Sequence, residues 1–144
     1  MAQEYSKRKA TKFQKQIVVN ELAGYTLEII QNEKYFPIIV QKAMNPEITH
    51  IVLEAAGKIN DANRERVDGK GSRTPAEAYS YRIQKQTEAI ELLNKLLDRI
   101  ETIEIAFHLK RKKAFTWTRK TLNAIEEIKS WRASETKRLK DLGK

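Results

Sequence analysis

Glycine and proline, which most often interrupt regular secondary structure, are scarce in this chain, with five glycines and three prolines among 144 residues. Their combined share is under half of the usual one, which favours long regular elements over many turns. Leucine, isoleucine, valine and phenylalanine still make up about a quarter of the residues, enough to build a core. Because a chain of this length has room for one domain, the sequence predicts a single domain made of a few long elements.

Several classes of protein are excluded by composition. The chain has no cysteine, which excludes disulfide scaffolds, thiolate zinc sites and cysteine nucleophiles. It contains no apolar run of the length that crosses a bilayer, and its first residues lack the apolar stretch of a secretory signal. We therefore expect a cytoplasmic helical protein that does not enter a membrane.

The first helix is predicted over about residues 11–33. Its apolar residues recur at helical spacing, at Val18, Leu22, Tyr25 and Ile29. The sequence Tyr35-Phe36-Pro37 ends this helix, because a residue before proline is driven away from helical geometry. Residues 38–44 are compatible with either a short helical turn or an extended segment.

The second helix is predicted to begin at Asn45-Pro46 and to fade near Arg64–Arg66. Asparagine is a favoured N-cap, proline suits the first helical position, and Glu47 follows in the first turn. Its buried stripe is predicted to contain Ile48, Val52, Ala55, Ile59 and Ala62. The glycine-containing residues 67–73 that follow are predicted to form a loop.

The third helix begins with a capping box, Thr74-Pro75-Ala76-Glu77, in which the hydroxyl and the glutamate can each satisfy a backbone amide. Helical spacing then continues to about residue 109. The residues on this stripe are Tyr79, Ile83, Gln86, Ile90, Leu93, Leu97, Ile100 and Phe107.

A fourth helix is predicted from about residue 115, with its stripe at Trp117, Thr121, Ala124, Ile128 and Trp131. Four amphipathic helices favour an all-α fold, an antiparallel up-down four-helix bundle. We predict that residues 11–132 form the bundle, that 1–10 are a basic N-terminal extension and that 133–144 are a basic C-terminal tail. Up-down connectivity would place the loops at 34–45 and 108–114 at one end.

Positive charge is concentrated late in the chain. Residues 108–144 contain 12 lysines and arginines and four acidic residues, so they carry +8 of the net charge of +9. Such asymmetry indicates a polyanion or an acidic partner. The alternative is that the basic residues only keep a small protein soluble.

Motifs for catalysis or metal binding are weak. Glu47-Ile48-Thr49-His50 has the Glu-x-x-His spacing of a di-iron bundle site, but Glu104 and His108 are one residue too far apart to repeat it. Residues 69–72 (Gly-Lys-Gly-Ser) lack the upstream glycine of a phosphate-binding loop. We therefore predict no catalytic residue, no metal and no cofactor, with His50 at the surface.

The strongest functional candidate is the segment KRKKAFTWTRK at 110–120. Cations can hold phosphates while neighbouring rings stack on exposed bases. The alternatives are that the tryptophans belong to the core and that 110–113 form a merely solvated turn. The predicted nucleic-acid-binding residues are Lys110, Arg111, Lys112, Lys113, Arg119 and Lys120, supported by Arg132, Lys137 and Arg138.

From about Leu22 to Trp131, the chain resembles a family of small four-helix-bundle proteins. The resemblance lies in the Tyr-Phe-Pro break, the alanine-rich second helix ending in Asn60–Asn63, the segment ELLNKLLDRI and the final ladder. That ladder consists of Trp117, Leu122, Ile125, Ile128 and Trp131. The family includes the accessory variability determinants of diversity-generating retroelements and proteins encoded in ribosomal-RNA intervening sequences.

The resemblance implies a non-enzymatic role. Accessory variability determinants form pentameric barrels, bind the reverse transcriptase of the retroelement and engage template RNA during error-prone cDNA synthesis. The expected partners are thus a reverse transcriptase, RNA or DNA, and further copies of the chain in a homo-oligomer. A protein-interaction adaptor, whose basic ends dock an acidic partner, is the alternative from a different class.

Overall fold

The computed structural model describes residues 2–143, with side chains from residue 14 to residue 143. The described part contains four α-helices and no strand. The helices are α1 (Ala2–Gln31), α2 (Ile38–Arg64), α3 (Pro75–Phe107) and α4 (Arg111–Leu142). Helices α1 and α3 each pack against α2 and α4, whereas the diagonal pairs make no close backbone contact among the described residues. The predicted all-α class and four-helix bundle are confirmed.

The core lies where the apolar stripes of the four helices meet. All five residues predicted for the stripe of α2 are buried. Trp117 is fully buried, whereas Trp131 is half-buried against the edge of the core. Phe107 is an exception to the predicted pattern, because it is the last residue of α3 and remains 40% exposed.

The capping box predicted for α3 is present. The Glu77 amide donates to the Thr74 hydroxyl at 3.2 Å, and the Thr74 amide donates to the Glu77 carboxylate at 3.0 Å. These hydrogen bonds hold the pKa of Glu77 below its usual value. Because the folded-state pKa is lowered, the contribution of Glu77 to stability is present at neutral pH. It is lost as the pH falls through that pKa.

Replacing Thr74 by alanine is expected to lower the free energy of unfolding by about 1 kcal/mol, since the Glu77 amide loses its acceptor. Thr102→Ala is the matched control, because Thr102 is exposed in the same helix and its hydroxyl only donates back to Asp98 O. Thermal unfolding compares the two variants. Equal effects would contradict the role of the cap.

The predicted start of α2 at Asn45-Pro46 is wrong. The helix begins at Ile38, after the extended residue Pro37, and Pro46 lies within it. Pro46 cannot donate a backbone hydrogen bond, but the buried side chains of Phe36 and Val40 hold this part of the chain against the core. Asn45 is not an N-cap; its side-chain amide donates to Ile30 O near the end of α1 at 2.8 Å.

The two outer helices are longer than predicted. The backbone of α1 is helical from Ala2, whereas the sequence predicts a helix from about residue 11. Helix α4 begins at Arg111 instead of about 115 and runs to Leu142. The C-terminal part of α4 is fixed to the bundle by Glu135, which is fully buried and paired with Arg82 of α3.

Candidate nucleic-acid interface

The predicted site residues fall into two groups on α4. Lys110 precedes the helix, Arg111–Lys113 form its first turn, and Arg119 and Lys120 follow within the next turns. Arg132, Lys137 and Arg138 lie near the other end of the helix. At 1.5 Å per residue, Arg111 and Arg138 are about 40 Å apart along the axis, so no single contact joins the two groups.

The first group is presented by a short, fixed connection. His108 ends α3 in the left-handed conformation, with φ 55°, and the next residue, Leu109, is buried. Lys110 then leads directly into α4. Because Leu109 anchors the connection, the three residues that follow it are exposed to solvent, namely Lys110, Arg111 and Lys112.

These cations lie at the wrong end of a helix for its stability. The first turn of α4 contains Arg111, Lys112 and Lys113 and no acidic residue. The N-terminus of a helix carries a partial positive charge, which favours anions and disfavours cations. Free backbone amides also lie there, since Lys110 makes no side-chain cap. A bound phosphate would relieve both the charge repulsion and the unpaired amides.

Two tyrosines of the α1 region bring further lysines to this surface. The Lys113 ammonium lies 5.5 Å from the centre of the Tyr25 ring and 4.9 Å from that of Tyr35. Lys120 lies 5.1 Å from Tyr25, and Lys34 lies 5.9 Å from Tyr35. We call these five residues together with Lys110, Arg111 and Lys112 the cationic end. The tyrosine faces attract the ammonium groups and hold them together despite their mutual repulsion.

The tyrosines were not among the predicted site residues. The helical spacing predicts Tyr25 on the apolar stripe of α1, but it is only half-buried, as is Tyr35. Both therefore present a ring face to the lysines while packing against the core. A tyrosine at the margin of the apolar stripe of α1 can present its ring to the surface. Periodicity alone does not distinguish the margin of a stripe from its centre.

Base stacking within segment 110–120 is restricted by burial. Trp117 is fully buried and donates its indole N–H to the Thr26 hydroxyl at 2.9 Å, so it cannot contact a base. Phe115 is 63% exposed, and the Arg119 guanidinium lies 6.0 Å from the centre of its ring. The segment thus offers one accessible ring and several cations.

The second group is largely engaged within the protein. Arg132 is half-buried and donates to the Thr87 hydroxyl at 3.2 Å. Arg138 lies 3.3 Å from the carboxylate of Glu135. Lys137 is exposed. This group therefore contributes to packing between α3 and α4 as well as to surface charge.

The middle of the bundle has a more balanced charge. Lys58 and Glu88 pair between α2 and α3 at 2.9 Å, which raises the pKa of Lys58 and lowers that of Glu88. His50 is exposed nearby. Among the described residues, no three acidic or histidine side chains are grouped as metal ligands.

Comparison with protein-family models, curated proteins and solved structures finds no match to this chain. None of the helices, over the residues that the structure describes, is long and apolar enough to cross a membrane.

Proposed function

We propose that this protein is a non-enzymatic, nucleic-acid-binding accessory of a diversity-generating retroelement. In this role it binds the reverse transcriptase and template RNA and supports mutagenic cDNA synthesis. The observation that carries the nucleic-acid part is the cationic end, where basic residues occupy a helix N-terminus that disfavours them. The retroelement and its polymerase come from the family resemblance.

Contacts between helices support an antiparallel up-down connectivity for this bundle. Arg99 of α3 pairs with Glu47 of α2, whereas Lys58, later in α2, pairs with Glu88, earlier in α3. The same reversed order is found for Lys15–Glu127 and Thr26–Trp117, and for Arg82–Glu135 and Thr87–Arg132. This connectivity places the start of α4 beside the loop at 32–37 and so accounts for the assembly of the cationic end.

Phosphate neutralisation is the interaction that this surface suits best. Lys110, Arg111 and Lys112 are exposed, and their side chains make no ion pair within the described residues. Each phosphate that they contact releases a bound counterion, so affinity falls as salt concentration rises. Lys113 and Lys120 are held at fixed positions by the tyrosines, which reduces the entropy lost when a strand is bound.

Charge reversal at the cationic end tests this function. The triple variant Lys110→Glu, Arg111→Glu and Lys112→Glu leaves the lysine–tyrosine contacts intact. RNA and DNA of one sequence are titrated at several salt concentrations. We expect much weaker binding and a slope of log K against log salt that is shallower by about 2, since a single strand contributes about 0.7 per phosphate contact.

The control variant reverses Lys95, Lys129 and Lys140, which are exposed outside the cationic end and change the net charge by the same amount. It is expected to retain most of the affinity, and circular dichroism should show equal helicity in both variants. If both bind RNA like the unmodified protein, or lose affinity equally, the cationic end is not the interface.

Assembly into a homo-oligomer, a pentamer by the family resemblance, would bring several cationic ends into one surface. Such a ring would bind an extended strand more tightly than one copy does, because the contacts act together. The acidic α3 is available to face a neighbouring copy or the polymerase. Light scattering measures the number of copies, and co-purification with the reverse transcriptase tests the protein partner.

Exposed apolar side chains favour the alternative function, a helical adaptor for an acidic protein partner. Ile39 is 78% exposed at the start of α2, Ile105 is 69% exposed near the end of α3, and Phe115 is 63% exposed in α4. An exposed apolar side chain beside a cation, as in Phe115 and Arg119, suits an acidic amphipathic segment. An adaptor of this kind would show little salt-dependent RNA binding, so the same titration separates the two functions.

A further inference from the structure

A polar cavity lies at the end of the bundle opposite to the cationic end. Its volume is about 410 Å³, and all four helices contribute to its lining. The side chains that matter here are Lys15 of α1, Asn63 of α2, Arg82 of α3, and Ser134 and Arg138 of α4. We call this the end cavity. Its volume is within the range of sites for small ligands.

Positive charge is in excess around the end cavity. Three cations line it, whereas no acidic residue does. The buried carboxylate of Glu135 is shared between Arg82, at 2.7 Å, and Arg138, at 3.3 Å. Lys15 is paired with Glu127 at 3.5 Å. Each cation thus has a carboxylate nearby, but three cations share two carboxylates, so these five side chains carry a net charge of +1.

The ion pair between Arg82 and Glu135 leaves the Arg82 Nε–H group without a hydrogen-bond acceptor. The Arg82 Nε and Glu135 Oε1 atoms are close enough for an ion pair, but the N–H does not point at the oxygen as in a hydrogen bond. A second nitrogen of Arg82 donates only a long contact, 3.5 Å, to Glu65 O. The Arg82 side chain is 15% exposed, so it is largely shielded from solvent that would screen its charge.

The remaining polar groups are donors suited to an oxyanion. Ser134 supplies a hydroxyl and Asn63 an amide beside the arginines. Guanidinium, hydroxyl and amide groups together are the usual partners of phosphate oxygens. Trp131 limits the site on one side and holds Arg82, whose guanidinium lies 5.3 Å from the centre of the Trp131 ring system.

We propose that the end cavity binds a phosphate group, carried either by a small molecule or by the terminus of a nucleic acid. This site is separate from the cationic end, because no residue belongs to both and about 15 Å of α4 lies between Lys120 and Ser130. Its occupancy would clamp the ends of all four helices together, since α1 to α4 each contribute a side chain to the lining. Failure of one proposal therefore leaves the other standing.

The test uses the full-length chain with three probes: inorganic phosphate, a nucleoside 5′-monophosphate, and a short RNA with or without a 5′-phosphate. Calorimetric titration at constant ionic strength measures binding. Ser134→Asp places a carboxylate in the cavity at an exposed position of α4, so the fold should persist. We expect this substitution to weaken binding at least about tenfold through like-charge repulsion.

Asn94→Asp is the control, because it adds the same charge at an exposed position of α3 outside the cationic end and 12 residues from Arg82, beyond a Debye length of about 8–10 Å. Binding of the free anions supports a small-molecule site, whereas binding that requires the 5′-phosphate of RNA supports a nucleic-acid terminus. The proposal is overturned if none of the probes saturates, or if Ser134→Asp and Asn94→Asp bind equally well.

Discussion

Replacing Arg82 by alanine is expected to lower the free energy of unfolding by about 3–5 kcal/mol, because it removes the main partner of a buried charge. Glu135 is fully buried, and Arg82 lies 2.7 Å from its carboxylate with a side chain that is itself 15% exposed. After the substitution, only the largely exposed Arg138 would remain beside this carboxylate. Denaturant unfolding followed by circular dichroism measures the loss.

Arg66→Ala is the control, because it removes an ion pair with the same distance between the guanidinium nitrogen and the carboxylate oxygen. Arg66 and Asp68 also lie 2.7 Å apart, but their side chains are 58% and 45% exposed, so the loss should stay within about 0.5 kcal/mol. Replacing Arg82 and Glu135 together by leucine should restore most of the stability, since no charge is then buried. If Arg82→Ala and Arg66→Ala lower the free energy of unfolding equally, burial of Glu135 does not determine how much its ion pair contributes to stability.

Glu135 also explains why the length of α4 could not be predicted. The predicted stripe, at Trp117, Thr121, Ala124, Ile128 and Trp131, advances by alternating steps of four and three residues, and Glu135 occupies the next position. An apolar residue there would have extended the predicted helix. A search for apolar periodicity instead ends at Trp131, because a buried carboxylate is recognised only once its cationic partner on another helix is known.

Local signals predicted helix ends well where no tertiary contact opposed them. At Thr74 the side chains satisfy neighbouring amides within four residues, so the capping box was sufficient. At Asn45-Pro46 the same kind of signal failed. There the burial of Phe36 and Val40 continues the helix through Pro46, and Asn45 bonds to α1 instead. Contacts across the bundle outweighed a favourable local cap.

The candidate interface was predicted in part. Its cations could be located from the sequence, because Lys110 to Lys113 form an uninterrupted basic run. Their arrangement around Tyr25 and Tyr35 could not, since it depends on how the end of α1 packs beside the start of α4. The two explanations of the tryptophans were resolved by burial, which assigns Trp117 to the core.

Trp117→Ala is expected to lower the free energy of unfolding by about 3–5 kcal/mol, because it leaves a large cavity in the core at a fully buried position. The indole contacts Phe36 edge to face, with ring centres 6.3 Å apart, and donates to the buried Thr26 hydroxyl. Trp117→Phe should cost less, about 1–3 kcal/mol, because it keeps a ring beside Phe36 but removes the hydrogen bond to Thr26. Denaturant unfolding measures both variants.

Phe115→Ala is the matched control, since Phe115 lies two residues earlier in α4 and is 63% exposed. It should change stability by less than about 0.5 kcal/mol. RNA affinity should not follow stability. Trp117→Phe should retain RNA binding although it lowers stability, because a fully buried ring cannot stack on a base. If the Trp117→Phe variant stays folded but loses RNA binding, the assignment of Trp117 to the core alone is contradicted.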